Sequence, residues 1–200
     1  MTIRIGASSS LRRMADGDLL LEVLAALRDR GALGERSLPG AVAHAEAFVA
    51  AIPADSTTVL DLGSGGGLPG LVIAARLPHV MLTLCERRER RADLLRLACA
   101  QLGFSRVAVV TGDVRGLCVV ADRGGGVDGG FDVVTARSFG KPLWTLRCAL
   151  PLVRCGGVVI VSEPPAEPDC VVVRWPAEEV HRLGFEDDGR FDHVRRFVKS

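Results

Sequence analysis

Apolar positions change rhythm along the chain near residue 56. Before that point they follow a helical period. Leu20, Val23, Leu24 and Leu27 form an i, i+3, i+4, i+7 stripe, which predicts a helix over 19–30 stopped by Gly31. An Ala-rich stretch over 40–52, closed by Pro53, predicts a second helix. After residue 56, short and nearly continuous apolar runs alternate with helical stripes. The runs predict strands over 57–62, 80–86, 107–111, 131–136 and 157–162. Helices are predicted over 69–77, 88–102 and 141–153, with a short one near 115–121. The Leu143, Leu146, Leu150 stripe assigns Trp144 to the core. PAEEVHRL reads as a helix begun by Pro176. FEDDGRF and HVRRFVK read as an antiparallel hairpin turning through Asp188-Gly189. Strands that are apolar throughout, separated by helices, argue for an α/β architecture with a doubly wound, mostly parallel sheet. The expected organisation is a single domain over 1–200, with a helical N-terminal extension (1–55) on an α/β core (56–200).

Composition narrows the classes. The chain has 200 residues, 48% of them hydrophobic and 24% charged, which excludes a disordered or collagen-like polymer. No apolar run reaches the ~18 residues of a membrane span, and the first residues carry no apolar signal core, so a cytoplasmic protein is expected. A formal net charge of +1 means that any basic footprint must be local. Arginine supplies nearly all the positive charge: lysine occurs only at Lys141 and Lys199, and Asn and Tyr are absent. This reflects a compositional bias, so arginine count alone signals nothing. Cys85, Cys99, Cys118, Cys148, Cys155 and Cys170 show no C-x-x-C spacing and no His partners. They read as free, mostly buried thiols in a reducing compartment, and no metal site is expected.

The strongest local signal is Asp61-Leu62-Gly63-Ser64-Gly65-Gly66-Gly67, directly after a predicted strand and before a helix. Glycines let the backbone turn sharply and let a ligand approach closely. The following helix presents free amide groups. A dinucleotide fingerprint would read G-x-G-x-x-G. This loop instead reads G-x-G-x-G after an acidic residue. Asp61 would repel a pyrophosphate but suits a cofactor bearing an amine and a sulfonium, namely S-adenosylmethionine. Glu86 ends the second strand, where a carboxylate accepts ribose hydroxyls. Asp113 ends the third strand and is placed to meet the adenine. Three carboxylates after three successive strands form a more specific pattern than the glycines alone.

VLDLGSGGGLPGLVIAARLP resembles the first motif of the RsmG (glucose-inhibited division protein B) family, bacterial 16S rRNA guanine-N7 methyltransferases. The Leu68-Pro69-Gly70 continuation carries most of that likeness. FDVVTARSFGKPLWTLRCALPLVRCGGVVIV is similar to a second family segment, and Val-Arg-Arg-Phe-Val-Lys to its ending. The resemblance implies a Rossmann-like class I methyltransferase fold. It implies S-adenosyl-L-methionine contacts at Gly63, Leu68, the Asp113-Val114 pair and Arg137. With the loop reading, the expected cofactor-binding set is Asp61, Gly63, Gly65, Gly67, Leu68, Glu86, Asp113, Val114 and Arg137. Arg137 is the expected positioning residue at the transfer site. The implied partner is 16S rRNA or the small ribosomal subunit, bound by a monomer. The chain departs from the family where Lys-Gly usually follows the last parallel strand: it has Ser162-Glu163-Pro164-Pro165. His44 is the only counterpart of an N-terminal family histidine.

The expected chemistry agrees with this. Guanine N7 carries an in-plane lone pair and no proton, so its methylation needs positioning and exclusion of water but no general base. The sequence shows no Ser/His/Asp or Cys/His constellation. Exocyclic amine methylation typically uses Asn/Asp-Pro-Pro-Tyr/Phe after the fourth strand, where this chain has Ala136-Arg137-Ser138-Phe139. Arg87, Arg88, Arg90 and Arg91, Arg12 and Arg13, and Arg195 and Arg196 are candidates for RNA backbone contact. A small-molecule methyltransferase, or a non-catalytic cofactor- or RNA-binding relative, are the alternative functions on the same fold.

Overall fold

The computed structural model describes residues 9–34, 37–113, 130–164 and 174–200, with side chains from residue 17 onward. In chain order the elements are α1 (Ser9–Asp29), α2 (Leu38–Ala51), β1 (Thr58–Leu62), α3 (Gly70–Arg76), β2 (Met81–Glu86), α4 (Glu89–Gln101) and β3 (Val107–Thr111). They continue with β4 (Phe131–Ala136), α5 (Pro142–Ala149), β5 (Val153–Ser162), α6 (Ala177–Arg182), β6 (Phe185–Phe191) and β7 (Val194–Lys199). Val114, Cys118, Cys170 and the helix expected near 115–121 lie outside the described residues. No helix among the described residues is long and apolar enough to cross a membrane.

One sheet runs in the order β3-β2-β1-β4-β5-β7-β6. The pairs from β3 to β5 are parallel, and β7 is antiparallel to both neighbours. Chain order reverses between β1 and β4, so a crevice opens there at the carboxyl ends of the strands, where ligands bind in doubly wound sheets. This is the doubly wound, Rossmann-like sheet that the sequence predicts, with an antiparallel β7 inserted between β5 and β6.

Both faces of the sheet are covered. Val59, Val133, Val158 and Ile160 pack with Phe48, Leu71 and Leu95 from α2, α3 and α4. Their neighbours Leu60, Val134, Val159 and Val161 pack on the other side with Leu146, Trp175, Phe185 and Phe197. Successive strand residues point to opposite faces, so double coverage requires unbroken apolar runs.

A carboxylate locks the amino end of the central strands. Asp132 Oδ2 accepts from the amides and hydroxyls of Thr57 and Thr58 at 2.8–3.0 Å, and Oδ1 accepts from Arg154 Nε at 2.7 Å. Burial pushes its pKa upward, but the hydrogen bonds from Arg154 and the threonines outweigh this and hold it well below the usual carboxylate range.

Several elements differ from the sequence expectation. The helix α1 starts at Ser9, eleven residues before the apolar stripe begins at Leu20. The helix α5 ends at Ala149, and β5 begins at Val153, four residues before the expected strand. The hairpin turns at Asp192-His193, where Asp192 has φ +51°, and not at Asp188-Gly189. Gly189 instead sits at a bulge within β6, where the register shifts. Arg195 and Arg196 are held by Asp187 and Asp188, so both serve the hairpin as ion pairs. Arg196 also donates to the Ala51 carbonyl at 2.9 Å, tying β7 to the end of α2.

Candidate functional site

The loop after β1 takes its shape from backbone conformations that favour glycine. Gly63, Gly65 and Gly67 have φ of +67°, +54° and +92°. At Gly63 a Cβ would come within 2.7 Å of the Phe139 ring, so only glycine lets that ring close over the loop. Gly65 has space around it but not a conformation that a branched side chain tolerates. Gly67 backs onto Leu71 and Leu95, and Leu68 is buried beside it. The Ser64 amide donates to the Cys85 carbonyl at 2.9 Å, fixing the loop to the end of β2.

Glu86 does more than the sequence suggested. It is 5% exposed; Oε2 accepts the Gly65 amide at 3.0 Å and Oε1 the Arg88 amide at 2.8 Å. It therefore holds the glycine loop and the turn into α4 together. Sequence spacing could not reveal the bond to Gly65, 21 residues away. Each oxygen keeps a second lone pair for a ligand.

Asp61 lies beneath the loop, 1% exposed. Oδ1 accepts from the Thr135 hydroxyl at 2.8 Å, across the β1–β4 pair. Oδ2 closes no hydrogen bond. Burial pushes the Asp61 pKa up to about 6, moderated by Thr135, Ser64, the Gly70 backbone and the charge of Arg137.

Three depressions meet above the strand ends. The first, about 350 Å³, is lined by Gly63, Glu86, Gly112, Asp113, Phe139 and Trp144, among others. It thus gathers Glu86 and Asp113. The second, about 430 Å³, lies on the other side of the loop and contains Leu33, Gly65, Leu68 and Arg137. Arg137 therefore faces the helical extension, near Asp61, and not the Glu86–Asp113 wall. The third, about 610 Å³, lies between α2 and the β6–β7 turn. Ser138 lines all three. It has φ +54°, and its amide donates to Ser162 Oγ at 3.3 Å. Non-glycine residues in that conformation cost energy and cluster at functional sites, and nothing in the sequence marks Ser138 as one.

Trp144 is not a core residue. It is 49% exposed and stacks on Phe139 with centroids 5.1 Å apart. The buried positions of α5 are Thr145, Leu146 and Ala149, which turns Trp144 onto the rim. The rim also carries arginine. Among the described residues, Arg87, Arg88, Arg90 and Arg91 form no ion pair, whereas Arg76, Arg96, Arg154, Arg195 and Arg196 each have an acidic partner. The side chains of Arg12 and Arg13 lie outside the described residues. Among the described residues no group of three His, Cys, Asp or Glu side chains is arranged to hold a metal.

Comparison with solved structures supports the architecture. An O-methyltransferase from Bacillus cereus in complex with SAH superposes with TM-score 0.61 at 17% identity, covering 91% of each chain. The O-methyltransferase TomG from Streptomyces achromogenes, in complex with SAM, superposes with TM-score 0.56 at 19% identity, covering 90% of each. At such identities the likeness is one of fold. The relatives in sequence are more specific. The ribosomal RNA small subunit methyltransferase G of Salinispora tropica is 38% identical over 169 residues, 78% of this chain and 68% of its own length. Those of Sorangium cellulosum and Burkholderia thailandensis are 35% and 38% identical over 58% and 60% of this chain. The matched regions span only 46% and 50% of those two proteins, about half their length. The family model described as rRNA small subunit methyltransferase G matches residues 24–163, which takes in α2, the glycine loop, Glu86, Asp113 and Arg137. With 140 of its 200 residues so matched, the chain belongs to the rRNA small subunit methyltransferase G family.

Proposed function

We propose that this protein transfers a methyl group from S-adenosyl-L-methionine to guanine N7 in 16S rRNA. One observation carries the reading: the Glu86–Asp113 wall beside the glycine loop opens onto a rim of arginines that have no acidic partner among the described residues. The cleft residues fit the cofactor. Glu86 has lone pairs to spare for ribose hydroxyls, the Asp113 carboxylate stands on the same wall, and the bare Gly65 backbone leaves room above the loop. The buried carboxylate of Asp61, whose Oδ2 closes no hydrogen bond, supplies negative field beneath the loop, suited to a cationic ligand.

When bound, the cofactor supplies a methyl group on a positive sulfur. The chain has three tasks. Glu86 and the loop hold the nucleoside end. Arg137, within the field of Asp61, orients a phosphate, a base or the cofactor carboxylate through its planar fork. Arg87, Arg88 and Arg90 are free to meet RNA phosphates. No residue need remove a proton, because N7 has none at neutral pH.

The test is label transfer from the methyl-labelled cofactor to purified small subunits and to deproteinised 16S rRNA, followed by mass mapping of the product. Label at guanine N7, with activity falling steeply as salt rises, is expected, since phosphate contacts release counterions. No label in either RNA, with normal cofactor binding, would overturn the reading. A salt-independent transfer to small hydroxyl compounds would point to a small-molecule enzyme instead.

A further inference from the structure

The third depression, between α2 and the β6–β7 turn, has a buried carboxylate, Glu163, in its wall. Its walls include His44, Ser138, Ser162, Glu163, Arg174 and His193. It adjoins the cofactor side through Ser138, so a base seated in it would sit next to the transfer site. The His44 and His193 rings lie 5.6 Å apart, tilted by 45°, on this wall.

Glu163 is 7% exposed, an unusual burial for a carboxylate at a cavity wall. It is held rather than loose. Its amide donates to the His193 carbonyl at 2.8 Å, and Oε2 accepts from the Trp175 indole at 2.7 Å. Arg174 Nε stands 3.7 Å from Oε1. Trp175 is itself buried, and its ring lies 4.7 Å from Phe197, so a well-held donor anchors Oε2. Oε1 and the second lone pair of Oε2 remain for a ligand.

A carboxylate offers two acceptors side by side. Among the four RNA bases only guanine presents two adjacent donors, N1–H and the N2 amino group, on its Watson–Crick edge. Adenine and cytosine each pair one donor with an acceptor, and uracil has a single N–H. In guanine that edge lies across the purine from N7. A base anchored by its Watson–Crick edge to the floor therefore turns N7 outward.

We propose that Glu163, oriented by Trp175, is the specificity residue that accepts N1–H and N2–H of the target guanine and thereby presents N7 to the methyl donor. This rests on the guanine-N7 reading above. Glu163 binds, and Trp175 positions it.

The experiment uses the whole protein and two full-length 16S rRNAs made by splinted ligation, with guanosine or inosine at the position found by mass mapping. Inosine keeps N7 and N1–H but lacks the N2 amino group. In the parent protein, inosine should lower kcat/KM about ten-fold or more, the usual size of discrimination for one bidentate base contact. Glu163→Gln can still accept from Trp175 but turns an amide donor toward the base. It should lower kcat/KM on guanosine RNA by a similar factor and leave little difference between the two RNAs. Affinity for S-adenosylhomocysteine should stay within about two-fold, a readout that a general packing defect would move. Equal rates on both RNAs in the parent, or guanine preference kept in Glu163→Gln, would overturn the proposal while guanine-N7 transfer stood. Absence of transfer to any RNA by the parent would overturn the functional reading, and this inference with it.

Discussion

Glu86 accepts the amide of Gly65 at 3.0 Å, so a strand-end carboxylate holds the crest of the glycine loop. Its other oxygen accepts from Arg88 at 2.8 Å. One side chain thus joins the loop after β1 to the start of α4. Glu86→Gln keeps the shape but places an amide N–H against a backbone N–H. The variant should lose about 1–3 kcal/mol of cofactor binding, the range for hydrogen bonds to a charged group, and some thermal stability as well. Glu86→Ala should lose affinity similarly. Calorimetric titration with S-adenosylhomocysteine checks this, and unchanged affinity in both variants would remove Glu86 from the site.

Gly65→Val separates loop shape from loop anchoring. The valine Cβ meets nothing closer than 3.7 Å, so steric room is not the obstacle. The obstacle is φ +54°, which a β-branched residue adopts at a cost of about 1–3 kcal/mol. The loop should relax to another conformation, abolishing cofactor binding while circular dichroism stays that of the parent. Full binding by Gly65→Val would refute the assignment of the loop as the cofactor cradle.

Much of this was legible in the sequence, for physical reasons. A strand buried on both faces has to be apolar throughout, so β1, β2 and β4 stand out, and their carboxyl ends place Asp61, Glu86 and Arg137. What was missed depends on partners distant in sequence. The span α1 over Ser9–Asp29 exceeds the stripe because periodicity marks only the face that packs, from Leu20 to Leu27. Asp188-Gly189 resembles a turn, yet pairing with Arg195 and Arg196 keeps it within β6 and moves the turn to Asp192. Trp144 shares its helix with an apolar stripe but falls one position off the buried face. Glu163 stands out in the sequence only as a departure from the family's Lys-Gly, and only the fold brings Trp175 to it.

Asp61 makes a prediction in pH. Burial raises its folded-state pKa to about 6 from 3.8, so ionising it costs the native state more than the unfolded chain. The penalty is absent below about pH 4, grows through the interval to about 6 and is constant above. It amounts to about 3 kcal/mol at most, at 1.36 kcal/mol per pKa unit. Asp61→Asn does not ionise and escapes this change. Chemical denaturation at pH 4, 5, 6 and 7.5 should show the parent losing stability relative to the variant across that window. A parallel pair of curves would show that Asp61 is not buried as described. The variant should also bind the cationic cofactor more weakly, because the negative field beneath the loop is gone.

The cysteines report on the same cleft. Burial, then the charges of Glu86, Asp61 and Asp113, pushes the Cys85 thiol up to about 12, and burial pushes Cys99 up to about 11. Thiolate is the reactive form, so both should resist iodoacetamide at pH 8 until the protein is denatured. Cys155 is exposed and should react first. Cys148 is half-buried and lines the Glu86–Asp113 depression. Saturating S-adenosylhomocysteine should slow its alkylation and leave Cys155 unchanged, as read by peptide mass mapping. If Cys148 reacts equally fast with and without ligand, the nucleoside does not occupy that depression.

Arg137 distinguishes cofactor anchoring from substrate positioning. It follows β4, half-buried, on the side of the loop that faces Leu33 and Leu38, with its charge acting on Asp61. The Glu86–Asp113 wall lies on the other side. A residue so placed should matter less to the nucleoside end than to whatever meets it near Ser138. Arg137→Lys keeps the charge, and with it the electrostatic support of Asp61, but loses the planar fork that binds two oxygens at once. Methyl transfer to small-subunit RNA should therefore fall about ten-fold or more, in the range for a lost bidentate contact. Affinity for S-adenosylhomocysteine should change by less than about three-fold, and thermal stability should hold because the charge remains. If affinity and transfer fall by the same factor, Arg137 is an anchor for the cofactor carboxylate. In that case Arg87 and Arg88, which line the Glu86–Asp113 depression without Arg137, become the next groups to test for contact with RNA.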